Sequence, residues 1–242
     1  MKNKKTKIFF RVLTSLFSLF VMAAVIGTAI LVGQGYYIYT RVTAIQPIDQ
    51  ITESIRTDNN YVEFNEISPY MIDAIISIED HRFYDHKGVD PYATAKMAIV
   101  NTLKREVVGG GSSITQQLAR NFYFTQEKKL SRKIAEAFTA FEIEEKYSKE
   151  EILALYLNII YFGNNQYGIK NAAEYYFGVS PAELTLEQAV CLAGFPQAPS
   201  VYPNDPEKAE QRSRQVFKAM QKYGKIGQEQ TFAPAELPQG EN

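Results

Sequence analysis

The chain has 242 residues, a formal net charge of −1, one cysteine and two histidines. That length allows one domain of ordinary size with its own core, and the near-neutral charge argues against bulk nucleic-acid binding. A lone Cys191 excludes an internal disulfide, and with only His81 and His86 the donors for a zinc site of three or more His/Cys ligands are lacking.

Lys2, Lys4, Lys5, Lys7 and Arg11 open the chain with no acidic residue among them, and residues 12–32 then carry no charge. As a helix that run is about 31 Å long, close to the hydrocarbon thickness of a bilayer. Residues 1–35 therefore read as a basic tail and an uncleaved transmembrane anchor. The rival, a cleaved signal peptide, has an apolar core of only ~7–15 residues. The basic flank predicts a cytoplasmic N-terminus with the remainder outside, and Tyr36, Tyr37 and Tyr39 suit an aromatic belt at the outer interface. Residues 36–65, polar and mixed with Pro47 and Asn59-Asn60, read as a linker with room for a short strand.

Ser68-Pro69 is a helix opening, with the serine as cap and proline at the first helical position. The helix runs to Glu79, and Ile72, Ile75 and Ile76 lie seven, four and three residues before it on the same face. A carboxylate at the end of an apolar stripe is desolvated, which suits a general base; a helix-terminal Glu that simply reaches water is the alternative. Asp90-Pro91 opens a second helix to about Lys104, with Ala95, Ala98, Ile99 and Leu103 expected inward. Gly109-Gly110-Gly111 interrupts it, and Ser113 with Gln116 has the spacing of a capping box. Further helices are predicted over 131–147, from the Ser148/Glu151 capping box to Gly163, at Ser180-Pro181 and Thr185-Leu186, and over 206–223. Four prolines, Pro196, Pro199, Pro203 and Pro206, mark an extended connection, and residues 227–242 read as a loose tail. The soluble part is expected to be mainly α.

Chemistry concentrates in four places. The first is Glu79-Asp80 with Phe83, His86 and Gly88. The second is GGGSSITQQLAR, where glycines lead into a helix N-terminus that favours an anion such as phosphate, and where Gln116, Gln117 and Arg120 share a face. The third is Lys128, Lys129, Arg132, Lys133 and Glu136, a carboxylate held three and four residues after two cations. The fourth is KEEILALYLN, where Tyr156 and Asn158 are polar tips on an apolar helix. Each has a bland alternative: a Gly-rich surface turn, a solvated charged face, ordinary core packing.

The stretches EDHRFYDHKG, GGSSITQQL, RKIAE and KEEILALYLN, in that order, resemble the leading motifs of the family 51 peptidoglycan glycosyltransferases. These are the transglycosylase domains of class A penicillin-binding proteins and their monofunctional relatives. Arg212 followed by Val216-Phe217 resembles the fifth motif. The resemblance implies a lysozyme-like helical transglycosylase domain over 66–226, with a large lobe and a membrane-facing jaw, carried on one N-terminal transmembrane helix. It implies polymerisation of lipid II into β-1,4 glycan strands, with inversion at the donor anomeric carbon and release of polyprenyl diphosphate.

Under that resemblance Glu79 is the base for the acceptor's 4-hydroxyl and Glu136 the second carboxylate, beside the donor's pyrophosphate. Gln117, Arg120, Lys128, Arg132 and Lys133 fall on donor and pyrophosphate contacts, and Asp80, Phe83, Ser113, Gln116 and Asn158 on further substrate contacts. Ser113 stands where Thr is usual, Arg120 where Lys is common and Phe217 where Leu is typical, all with chemical type kept. The implied cofactor is a divalent cation, Mg or Mn, with no organic cofactor. The implied partners are lipid II, the growing glycan strand, membrane lipid and other cell-wall synthesis proteins, with no nucleic acid. The implied place is a bacterial cell membrane, with a single span and the catalytic domain on the outer face. The apolar loop NFYFTQEKKL, which carries Phe122 and Phe124, is expected to add a second membrane contact at the jaw. A lysozyme-like glycan-cleaving enzyme and a non-catalytic cell-wall scaffold are the alternatives. No Ser-x-x-Lys or Lys-Thr-Gly motif of a transpeptidase occurs within these residues.

Overall fold

A computed structural model describes residues 2–104, 111–125 and 129–237. Helix α1 runs unbroken from Lys2 to Ile45. Within Ile8–Ile45 an 18-residue stretch has a mean hydropathy of 2.4, so the helix is long and apolar enough to cross a membrane. The helix does not end where a bilayer would; nothing breaks it until Pro47, which disfavours helical geometry at Gln46.

That corrects the expected linker. The last turns of α1 pack on α6 (Leu130–Lys146), with the Tyr36 and Tyr39 rings 5.3 and 5.8 Å from Phe138 and the Tyr39 hydroxyl donating to Glu142 at 2.8 Å. Gly35 makes the crossing possible: a Cβ there would stand 2.4 Å from Ile134 Cγ2. Next comes α2 (Ile48–Arg56), which buries Ile48, Ile51 and Thr52 and ties Arg56 to Glu151 at 2.6 Å. Residues 36–56 are thus helical parts of the folded body. The missed signal is apolar residues at 48, 51 and 55, a helical period set among polar neighbours.

The core is built from α3 (Pro69–Glu79), α5 (Ile114–Tyr123), α7 (Lys149–Ile159), α8 (Ile169–Phe177), α9 (Leu186–Gly194) and α10 (Pro206–Lys222). Helix α7 is central, with every residue from Ile152 to Leu157 buried. Among the described residues there is no sheet, only an isolated bridge between Tyr161 and Tyr167. The capping boxes of Ser113 with Gln116 and Ser148 with Glu151 form with both of their bonds. Ser68 does not cap α3; its hydroxyl donates to the Leu184 carbonyl at 2.8 Å and fastens the α3 entry to the chain before α9.

Two further expectations fail. On α4 (Pro91–Lys104) Ile99 is 61% exposed and Ala95 is exposed, so that face does not enter the core; the side chains of Ala98 and Leu103 lie outside those described. The tail is not loose over 227–237. Phe232 packs 5.6 Å from Phe217 under the Arg214 guanidinium at 4.5 Å, and Gln221 donates to the carbonyls of Gln228 and Gln230. Phe232, Ala235 and Leu237 supply apolar contacts that the tail's prolines concealed.

Candidate active site

Helix α3 stops at Glu79, and its apolar stripe is sealed, with Ile72, Ile75 and Ile76 all buried. The Glu79 side chain remains 15% exposed. Its Oε2 accepts a hydrogen bond from Gln117 Nε2 at 2.8 Å, and its Oε1 lies 3.5 Å from Arg212 Nη2. Gln117 Oε1 in turn accepts from the Tyr156 hydroxyl at 3.0 Å. Four helices, α3, α5, α7 and α10, therefore converge on one carboxylate. Burial pulls the Arg212 guanidinium below its ordinary range, and the Glu79 charge opposes that shift. Room for the Arg212 stem comes from Gly194 in α9, where a Cβ would stand 2.8 Å from Arg212 Cγ.

Glu136 is held differently. It is fully buried in α6, with Arg132 Nη1 and Lys133 Nζ each 2.6 Å from one of its oxygens. Lys133 also donates to Ser112 Oγ at 2.8 Å, and Arg132 to the Thr125 carbonyl at 3.2 Å. Two cations against one carboxylate leave a net positive charge, and the cations reach outward, with side chains 14% and 39% exposed. Helix α5 joins the two clusters: Ser112 before its first turn touches one and Gln117 the other. Five residues of helix rise on the order of 8 Å.

Arg120, half-buried near the end of α5, has its Nε buried without a hydrogen-bond partner among the described residues, and its charge reaches the Tyr156 hydroxyl. Gln117 is thus brought to Glu79, and Arg132 and Lys133 to Glu136, while Arg120 lies near the Tyr156 hydroxyl. Lys128 lies outside the described residues.

Five other residues expected to touch substrate make bonds or contacts within the protein. Asp80 accepts from the Ile114 N–H at 3.0 Å and from His86 Nε2 at 2.9 Å, so this carboxylate closes the α5 N-terminus that a phosphate was expected to occupy. Ser113 donates to the Gly88 carbonyl and accepts from the Gln116 N–H, while Gln116 Oε1 accepts from the Ser113 N–H. Phe83 has no exposed surface and lies under Lys149 Nζ at 4.2 Å. Asn158 clamps Val62, accepting from its N–H and donating to its carbonyl, both at 2.8 Å, and donates to the Ala154 carbonyl as well. In the loop expected to touch membrane, Phe122 and Tyr123 pack partly against the core, and the Tyr123 hydroxyl donates to the Gln46 carbonyl at 2.7 Å.

Arg212 carried no assigned role beyond its motif, and Tyr156 read as core packing. The signal for Tyr156 was a lone hydroxyl in an apolar run; for Arg212 and Ser112 the sequence held no local signal.

A helical domain with a solvent-reaching carboxylate beside a cation cluster defines a class of site suited to charged leaving groups. A model of the transglycosylase family matches residues 46–221. Penicillin-binding protein 1A of Aquifex aeolicus is 45% identical over 172 residues, 70% of this chain and 24% of that protein. The monofunctional glycosyltransferase of Staphylococcus haemolyticus is 39% identical over 208 residues, 83% of this chain and 72% of that one. Penicillin-binding protein 1A/1B of Bacillus subtilis is 37% identical over 243 residues, 95% of this chain and 27% of its own length. The chain thus spans about a quarter of these penicillin-binding proteins and most of the monofunctional relative. It belongs to the transglycosylases of glycosyltransferase family 51.

Proposed function

We propose that the chain polymerises lipid II into β-1,4 glycan strands, inverting the donor anomeric carbon and releasing polyprenyl diphosphate. The observation that carries the reading is the Glu79 carboxylate, engaged at both oxygens and still open to solvent, and linked through α5 to the Arg132–Lys133 cations. In this reading Glu79 takes the proton of the acceptor's 4-hydroxyl as that oxygen forms its bond to the donor's anomeric carbon. The bond from that carbon to the diphosphate oxygen breaks on the opposite face, so an α-linked donor gives a β link. The leaving diphosphate needs its charge neutralised rather than a strong acid, and Arg120, Arg132 and Lys133 supply cations for it. Glu136, with no exposed surface, acts by holding two of them in place.

A divalent cation, Mg or Mn, would belong with that diphosphate. Among the described residues no three His, Cys, Asp or Glu side chains converge to hold one. Protein groups already face every oxygen of Glu79 and Glu136. In this reading the cation would come with the diphosphate, where it would add to the neutralisation of its charge.

The basic residues in the first turns of α1 support a cytoplasmic N-terminus, which leaves the catalytic domain on the outer face of a bacterial cell membrane. A polyprenyl substrate is confined to the same bilayer, and other cell-wall synthesis proteins are proposed partners on family grounds alone. The test is to incubate the purified chain with lipid II in detergent and digest the product with muramidase. Polymer that yields β-1,4-linked disaccharide fragments is expected; lipid II left intact, or cleavage of preformed glycan instead, overturns the reading.

A further inference from the structure

Tyr156 sits in α7 within the buried run from Ile152 to Leu157 and has no exposed surface. A buried tyrosine hydroxyl needs a partner, and this one has Gln117 Oε1 at 3.0 Å. The same Gln117 amide donates from its nitrogen to Glu79 at 2.8 Å. A side-chain amide has two ends of nearly equal size, one accepting and one donating. If it turned over, its oxygen would face the Glu79 oxygen, acceptor against acceptor. A donor on the far side therefore selects the productive face, and the Tyr156 hydroxyl is such a donor. Burial first, and the nearby Glu79 charge second, hold that phenol well above its ordinary pKa, so it keeps its proton.

We propose that Tyr156 is a positioning residue for the transfer reaction, acting on Glu79 only through the Gln117 amide. The inference rests on Glu79 being the base. Its structural rival is a tyrosine that merely fills the core.

The two roles separate in a double-mutant cycle on the full chain in detergent, with lipid II polymerisation as the readout. Tyr156→Phe removes one oxygen and keeps the ring; it should lower kcat roughly threefold to tenfold, the scale of one lost hydrogen bond, with KM unchanged. Gln117→Met removes the amide and should lower kcat by tenfold or more. In the Gln117→Met background, Tyr156→Phe should have no further effect, because the relay is already cut. A penalty that persists undiminished in that background, or a Tyr156→Phe enzyme with wild-type kcat, overturns the proposal. Should Tyr156→Phe fail to fold, Gln117→Met decides alone: unchanged kcat means the relay has no output. Glu79→Gln separates the two readings. If it still polymerises, the base assignment fails; if it is inactive while Tyr156→Phe is silent, only the relay fails.

Discussion

Glu79 and Glu136 are both carboxylates of the same site, and they are held in opposite ways. Glu136 is held within one helix, by cations three and four residues before it, and has no exposed surface. Glu79 is held by three other helices, through an amide, a guanidinium and a tyrosine behind the amide, and 15% of its side chain stays open. The difference teaches what each can do. A carboxylate sealed between two cations can align charge, but it cannot take a proton from a substrate it does not meet. A carboxylate with an open edge can.

Glu79→Gln breaks the comparison at its functional end and carries the largest expected effect. Loss of a general base typically costs ~10²–10⁴-fold in rate. The variant should lose polymerisation by that factor while its melting temperature and its binding of lipid II hold. A variant keeping more than about a tenth of wild-type turnover removes Glu79 from the role.

Glu136→Gln breaks the other end, and its effect should appear first in stability. Removing one partner of a buried ion pair costs about 3–5 kcal/mol; the lower end applies, because the Lys133 side chain is 39% exposed and water compensates part of the loss. Urea unfolding in detergent should register about 3 kcal/mol, with turnover falling as Arg132 and Lys133 lose their alignment. If the variant is as stable as the parent and only turnover disappears, Glu136 meets the substrate and the contrast drawn above is wrong.

This contrast also explains what was legible in the sequence. The Arg132, Lys133 and Glu136 cluster follows from spacing alone, because helix geometry puts such residues side by side. The capping boxes are legible for the same reason. Gln117 lies 38 residues from Glu79, and Arg212 is more distant still, so no local period could join them. Motif resemblance named the neighbourhood but not the direction each side chain faces. Asp80, Ser113, Gln116 and Asn158 are in the motifs, yet their bonds to backbone, which no local period announces, set which way they face. The helical run 36–56 was missed because Pro47 and polar residues outweighed a short apolar period.

Lys133→Ala sharpens the role of the cation cluster at smaller magnitude. A charge-assisted hydrogen bond to a diphosphate contributes roughly 1.5–3 kcal/mol, so lipid II binding should weaken about 10–100-fold. Stability should change less than in Glu136→Gln, because Arg132 still pairs with the carboxylate. Equal binding with a lowered melting temperature would make Lys133 a structural ion pair and nothing more.

The smallest effect is expected at Phe232, and it tests how far the Glu79 cluster extends. Phe232 packs on Phe217 and under Arg214, both on α10, the helix that also carries Arg212. An aromatic pair and a cation–π contact each contribute about 0.5–1.5 kcal/mol, and the second is at the low end because the Arg214 side chain is 52% exposed. Phe232→Ala should therefore cost about 1–2 kcal/mol of stability in urea unfolding. Turnover should stay within twofold of the parent, because Arg212 is fixed independently, by Glu79, by Gln215 at 3.1 Å and by the space Gly194 leaves for its stem. If turnover drops well beyond that while stability barely moves, the segment 227–237 is part of the machinery that aims Arg212 at Glu79, and the cluster takes in a fifth element.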